Sequence, residues 1–570
     1  MTRSTLVTLC FLVIATCVSA TRPQPVLKIA PVFEEPQSGC TPSQVHIALG
    51  RDATEMHVSW KTASANCPSE LIFRQALASD DQQLLAGAPG VTNAVGYAFL
   101  LSERDMCSEP AASNEFMLYL HRAKMTNLAP STEYEYQVVG SSTVHRLRSG
   151  LEPHPEHSFT FLAFGDMGDA VHAAAKSPGA ADTLMRLEQE VDAERDPASL
   201  ILHIGDISYA NGDPEIWDSF MDGIQPVASR VPYMVGIGNH EYGYRKGSGA
   251  MVDPSGAAGP YQPSWGNFGP DSKGECGAMT ARRFHMPEHP GQDPLGRPVY
   301  DPPFAAGTDA GSSAGVGANA GRRVRANAPF WYSFEYGSVH FTVISTENDL
   351  SSGSSQHAWL QEDLAAVDRC ATPWLVVLLH RPLYVVYPHK SNREVGIHLR
   401  ASIEDLLQQH RVDLTVAGHV HSYYRTCPVY DEKCIPGYED ASEDGDDYFY
   451  RSSNSSSSSS SSRTTVGGVE DGAGSGSSSS SSGYGCDGNG RCSHGIVHFV
   501  IGSAGHKLSE VERGQEEWLA AGVQRYGLGR FRVEGRDRLI AEYVGSDSGR
   551  VLDSVEVSAT AERQAMCRKD

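Results

Sequence analysis

The chain has 570 residues, 69 of them acidic against 46 basic, for a formal net charge of −23. That length leaves room for two to four domains and a large core. The negative balance argues against nucleic acid as a general partner, because a phosphate backbone is met by basic surface.

Residues 1–20 read as a signal peptide: Arg3, an apolar run over 6–18, then Val18-Ser19-Ala20 as a small-residue cleavage site. The run is too short to span a bilayer comfortably, and no later stretch is apolar enough. The expectation is a soluble protein, secreted or delivered to a lysosome- or vacuole-like compartment. Without Cys10 and Cys17, ten of the 12 cysteines remain, an even number that suits an oxidising compartment. Cys427 with Cys434 and Cys486 with Cys492 are close enough for local loops, and the other pairings stay open. No cysteine lies in a C-x-x-C motif, which speaks against a thiolate metal site.

Residues 41–150 carry short alternating segments. Residues 44–49, 55–60 and 133–139 read as strands with turn residues between them, which favours an antiparallel sandwich with Trp60 in its core. From about His157 the pattern changes to continuous apolar runs, the mark of strands buried on both faces. Residues 159–164 run into Gly165-Asp166-Met167-Gly168, and 200–204 run into Gly205-Asp206, with Tyr209 following. Residues 231–237 meet Gly238-Asn239-His240-Glu241, 373–379 meet His380-Arg381-Pro382, and 412–417 meet Gly418-His419-Val420-His421. Each run stops at a potential metal ligand, and the carboxyl ends of strands are where α/β sites gather. Asp206, with two oxygens, is placed to bridge two ions.

Between these runs, residues 180–196 have the helical character that a crossover between parallel strands requires. Residues 244–328 form a Gly/Pro-rich excursion, with Gly-Ala-Ser clusters at 304–321 expected to be flexible loop. Residues 357–369 have helical spacing. Residues 431–493 form an acidic and Ser-rich insertion: 439–447 is a dense acidic run, and 452–482 is low-complexity Ser and Gly with a sequon at Asn454. A strand resumes over 495–502.

The blocks GDMG (165–168), GDISY (205–209), GNHE (238–241), LLHRP (378–382) and GHVH (418–421) resemble, in order, the purple acid phosphatases within the calcineurin-like metallophosphoesterases. The Tyr of GDISY is similar to the residue that separates that family from most relatives. Segments PSQVHIALG, MHVSWKT and LAPSTEYEYQV resemble the fibronectin type III-like domain of plant-type members, and 526–557 resembles the family's closing strands. The resemblance implies a fibronectin type III-like all-β sandwich over 41–150. After it, over 157–557, would come an α/β metallophosphoesterase sandwich of two mixed sheets flanked by helices.

It further implies that Asp166, Tyr209 and His421 hold Fe(III), that Asn239, His380 and His419 hold a divalent ion (Fe, Zn or Mn), and that Asp206 bridges them. The leaving alkoxide needs a proton. His240 is the first candidate, with Glu241 as its orienter. His389 is the second, spaced from His380 like the first of two adjacent substrate-facing His in plant-type members. The second of that pair is replaced here by Lys390, which can meet phosphate as a point charge but is a poorer proton donor in acid, a departure that bears on substrate preference and pH optimum. An ordinary solvated loop is the other reading of His389 and Lys390. The activity implied is hydrolysis of small phosphate monoesters, with no nucleic acid, no membrane span and a homodimer left open. A phosphodiesterase or nucleotide pyrophosphatase on the same scaffold, and a non-catalytic secreted surface protein, are the alternatives.

Overall fold

Two four-stranded antiparallel sheets open the fold, in a computed structural model that describes residues 39–77, 84, 86–247, 253–287, 325–386, 390–435, 448–451, 484–486, 492–509 and 516–558. One sheet runs Ser43–Leu49, Met56–Thr62, Met117–Met125, Tyr97–Ser102; the other runs Thr92–Val95, Glu70–Gln75, Glu133–Val138, His145–Arg148. Ser43–Leu49 and Met56–Thr62 are buried along nearly their whole length. Trp60 is 1% exposed and stacks on His121, so it is a core residue.

Two larger sheets follow. The six-stranded one has the order Tyr233–Gly236, Ala198–Ile204, Phe159–Phe164, Gly527–Glu534, Arg538–Gly545, Val551–Ser558, and its first three strands are parallel. The eight-stranded one has the order Tyr332–Tyr336, Val339–Ile344, Trp374–Leu379, Leu414–Ala417, Val497–Ile501, Tyr423–Thr426, Leu519–Val523, Tyr448–Arg451, with Val339–Ile344 through Val497–Ile501 parallel. Parallel neighbours need crossovers, and helices supply them. Ala180–Val191 and Pro214–Ala228 serve the first sheet, Ser355–Ala366 and Lys390–Leu399 the second. Pro214–Ala228 starts where its sequence says it should: Asp213 caps the Glu215 N–H and Pro214 takes the first helical position. Between the sheets, Phe161 meets Phe341 edge-on at 5.1 Å, and within its own sheet it stacks on its cross-strand partner Phe531 at 4.7 Å. Arg425 of one sheet and Asp553 of the other, both without exposed side chain, pair at 2.6 Å.

The excursion over 244–328 is partly ordered structure. Its segment 253–287 carries the helix Ala278–Arg283, which lies against the N-terminal sandwich. His46 Nε2 meets the Arg283 carbonyl at 2.8 Å, Arg122 donates to the Ala281 and Arg282 carbonyls, and Cys107 is bonded to Cys276. The Gly-Ala-Ser clusters, the signal-like residues 1–20, residues 439–447, the Ser-rich tract and Asn454 lie outside the described residues. Cys427 is bonded to Cys434, as is Cys40 to Cys67, and positions 486 and 492 are register partners in a short antiparallel backbone pair. Among the described residues no helix is long and apolar enough to cross a membrane.

One buried titratable group ties a crossover helix to its sheet. His340 lies with Nε2 3.3 Å from Asp363 and Nδ1 3.7 Å from Glu335. Burial pushes this imidazole down, but the two carboxylates outweigh it and raise it to about 9 from the ordinary 6.5. A raised folded value means stabilisation that is whole below 6.5 and fades as pH rises through about 9. His340→Gln is therefore expected to cost about 1–3 kcal/mol at pH 6 and little at pH 9.5, read by denaturant unfolding at the two pH values.

Candidate metal centre

The five strand ends named by the sequence meet at one place. Three come from adjacent parallel strands of the six-stranded sheet and two from adjacent parallel strands of the eight-stranded sheet. Asp166 and Asp206 are 0% and 1% exposed, Tyr209 2%, His380 1% and Asn239 6%. Asp166, Asp206, Tyr209 and His419 all hold left-handed backbone, with φ of 62°, 50°, 53° and 67°. Non-glycine residues rarely adopt that region, and such strain concentrates at functional sites. The glycines of the motifs have a related cause: a Cβ on Gly238 would lie 2.3 Å from Asp206 Oδ1, and one on Gly418 would lie 2.5 Å from Asp166 Oδ2. The carboxylates sit against bare backbone.

The donor atoms fall into two groups that share Asp206. On one side Asp206 Oδ2, Asp166 Oδ1 and His421 Nε2 surround the Tyr209 hydroxyl at 3.1, 3.0 and 2.8 Å. On the other, His380 Nε2 is 3.3 Å from Asp206 Oδ1 and 3.1 Å from Asn239 Oδ1, and His419 Nδ1 is 2.9 Å from the same amide oxygen. Asp206 with His380 and His419, and Asp206 with Asp166 and His421, are each close enough to hold an ion. Main-chain carbonyls select the imidazole atoms: His380 Nδ1 donates to Ile204 at 3.0 Å and His421 Nδ1 to Lys507 at 2.8 Å. In each ring the lone pair is thereby left on Nε2, facing the cluster.

This donor set fits two cations. Asp206 Oδ1, Asn239 Oδ1 and His380 Nε2 are all acceptors turned toward one another, and buried acceptors repel unless a proton or cation lies among them. Burial opposes charge on His380, yet Asp206 lifts its imidazole to about 10. Burial, with Asp166 and Asp206 beside it, pushes the Tyr209 phenol well up. Without cations the cluster therefore keeps protons, and a bound metal would displace them. Oxygen and imidazole donors suit hard and borderline ions.

His240, Glu241, Lys390 and His389 fare differently. His240 lies beside the cluster, its ring 4.4 Å from that of Tyr209 and its Nε2 4.0 Å from Asp206 Oδ2. Glu241 does not orient it. Successive residues on a helical turn point apart, and the Glu241 carboxylate instead accepts the backbone N–H groups of Asp206 (2.7 Å), Ile207 (2.7 Å) and Gly238 (3.0 Å). Asn211 Oδ1, 2.7 Å from His240 Nδ1, takes the orienting place. Lys390 is 89% exposed and pairs with Glu394 at 3.4 Å. His389 lies outside the described residues.

Sequence reasoning passed over several neighbours. His506 stacks on Tyr209 with ring centroids 3.7 Å apart and planes 5° from parallel, held by Ser177 Oγ at 3.2 Å. It lies five residues past the strand Val497–Ile501, at the same end of the sheet as the other strand ends but beyond the residue at which the apolar run stops. Arg381 of the LLHRP block is 1% exposed, forked onto Glu347 at 2.6 and 3.2 Å, with Nη1 3.3 Å from His419 Nε2. Asp271 accepts from Asn239 Nδ2 at 3.1 Å.

Comparison with known proteins agrees with this architecture. Family models match in chain order: Purple acid Phosphatase, N-terminal domain over residues 42–160, Calcineurin-like phosphoesterase over 159–423, and Iron/zinc purple acid phosphatase-like protein C over 495–554. A relative from Arabidopsis thaliana named probable inactive purple acid phosphatase 24 is 26% identical over 550 residues, covering 93% of this chain and 71% of its own. A nucleotide pyrophosphatase/phosphodiesterase from Hordeum vulgare is 26% identical over 405 residues, 70% of this chain and 82% of its own. A purple acid phosphatase from yellow lupin (Lupinus luteus) seeds shares the fold, with a TM-score of 0.66 at 23% identity over 92% of this chain and 75% of that one. Three successive domain matches and one strand-end site lead to a single assignment: the chain belongs to the purple acid phosphatase family of calcineurin-like phosphoesterases.

Proposed function

We propose that this chain hydrolyses phosphate monoesters to alcohol and inorganic phosphate, with Fe(III) held by Asp166, Tyr209 and His421, a divalent Fe, Zn or Mn ion held by Asn239, His380 and His419, and Asp206 between them. The observation that carries the reading is the division of donors around Asp206, whose Oδ1 faces His380 and whose Oδ2 faces Tyr209. When bound, the ion pair supplies Lewis acidity, drawing charge from the phosphoryl oxygens and acidifying water. The protein's own residues do the rest. Glu241 fixes the turn that presents Asp206, Asp271 holds the Asn239 amide, and Arg381 backs His419. His240 is the proton donor to the leaving oxygen in this reading: its side chain is 25% exposed where the His380 side chain is wholly buried, so it faces the side from which an ester arrives. His389 stands as a second donor and Lys390 as a phosphate contact.

The name of the Arabidopsis relative favours an inactive protein, and the barley relative's name favours a diester or pyrophosphate substrate. The complete donor set supports activity here. The disulfides support an oxidising compartment, hence a secreted or vacuole-like location.

Metal content, visible spectrum and hydrolysis of an aryl monoester against an aryl diester test the proposal together. The expected result is two ions per chain, a visible charge-transfer band that Tyr209→Phe abolishes, and faster monoester cleavage. A colourless protein with two ions would point to a different metallophosphoesterase centre, faster diester cleavage to the alternative activity, and a metal-free protein to a non-catalytic role. Because Glu241 holds three N–H groups of the ligand-bearing turns, Glu241→Ala is expected to weaken metal binding about 10–100-fold, measured as metal retained per chain after dialysis.

A further inference from the structure

Beside the metal centre, a cleft of about 610 Å³ opens between the N-terminal sandwich and the excursion that follows GNHE. Arg245, Lys246 and Lys273 line it. In a chain with 69 acidic residues against 46 basic, these three cations make no ion pair with any described residue. The one carboxylate in the wall, Glu109, is engaged by the Ser113 hydroxyl. The Ser108 hydroxyl, also in the wall, is buried with no hydrogen-bond partner among the described residues.

The cleft is a rigid construction. The Cys107–Cys276 disulfide joins its two sides, and Cys107 N and Ala111 N donate to the Gly274 and Lys273 carbonyls at 2.8 and 3.1 Å. Lys273 itself is clamped in left-handed backbone, φ 51°, which a lysine rarely adopts. The cleft also shares a wall with the candidate metal centre. Pro270 and Lys273 line it, while Asp271 between them accepts from Asn239 and Ser272 N donates to the Gly243 carbonyl at 2.8 Å.

We propose that this cleft is a second anion site, which takes phosphate groups of a polyphosphorylated molecule outside the metal centre. Clustered cations without carboxylate partners raise the local concentration of such anions, and a cleft with low-dielectric walls focuses the field. The phosphates belong either to the distal end of an ester seated at the metal centre or to a separate molecule.

Titration calorimetry of the full chain with tripolyphosphate, beside inorganic phosphate, tests the site. The triple variant Arg245→Ala, Lys246→Ala, Lys273→Ala is expected to bind tripolyphosphate at least tenfold more weakly, with inorganic phosphate binding and the unfolding midpoint unchanged. Chelation at the metal centre is common to both proteins and cancels in the comparison. Lys246→Glu, a single exposed change, repeats the test should the triple variant fold poorly. Asp206→Asn distinguishes the sources: tripolyphosphate binding that survives it marks a separate molecule, and binding lost with it marks the distal end of an ester. Because calorimetry reads binding without turnover, an inactive but tripolyphosphate-binding protein would sink the phosphatase reading and leave this one standing. A wild type that does not bind tripolyphosphate, or a triple variant that binds it equally well, overturns the proposal.

Discussion

Two carboxylates removed from water at adjacent strand ends are the constraint on which the rest of the molecule depends. Asp166 and Asp206 are within reach of one phenol, and both are essentially without exposure. Like charges buried together are tolerated only with positive charge between them or protons upon them. The surrounding architecture turns imidazole lone pairs toward them and meets one oxygen of each with a backbone N–H. The Nδ1–H groups of His380 and His421 are given to main-chain carbonyls. The backbone N–H of His419 is given to Asp166 Oδ2 at 2.7 Å, and that of His240 to Asp206 Oδ1 at 2.9 Å. What remains at the centre is an excess of lone pairs.

That excess is held in place at a distance. The left-handed turns that carry Asp166, Asp206 and His419 are strained, and strain persists only where the surroundings over-determine it. Parallel strands buried on both faces, the aromatic contacts of Phe161 and the Arg425–Asp553 pair between sheets provide that determination. The N-terminal sandwich adds to it from outside. His46, Arg122 and Cys107 each fix part of the segment 276–283, and Glu275 in turn accepts from Gly212 N at 2.6 Å and from Trp217 at 2.8 Å. Gly212 follows Asn211, the partner of His240. The sandwich thus supports the turn that orients the candidate proton donor.

How much of this was legible follows from where each residue lies. The strand ends were readable because buried parallel strands appear as unbroken apolar runs, and a polar residue directly after such a run stands out. Phe159–Phe164 and Trp374–Leu379 begin or end within a residue of their expected bounds. Asn211 and Asp271 were not readable in the same way. They act through contacts between loops distant in sequence, and no periodicity marks a loop residue for such a role. Glu241 was misplaced for a local reason, since adjacency to His240 in sequence is divergence on a helical turn. His506 follows a strand that was read, over 495–502, but stands beyond the position directly after the run that the rule inspects.

The selection of imidazole atoms carries the argument one step further. His380 turns Nε2 to the cluster because the carbonyl of Ile204, in the neighbouring sheet, takes its Nδ1–H. His421 does the same through Lys507, beyond the strand Val497–Ile501. The ring nitrogen offered to a metal is therefore set for His380 by the placement of one sheet against the other, and for His421 by neighbouring strands of one sheet; the side chains themselves do not choose it. A slip of one residue in either sheet would turn each strand's faces over and carry the carbonyls away from the rings. The chemistry of the centre is in this sense a property of the two sheets' alignment, and the large apolar core between them is part of the site.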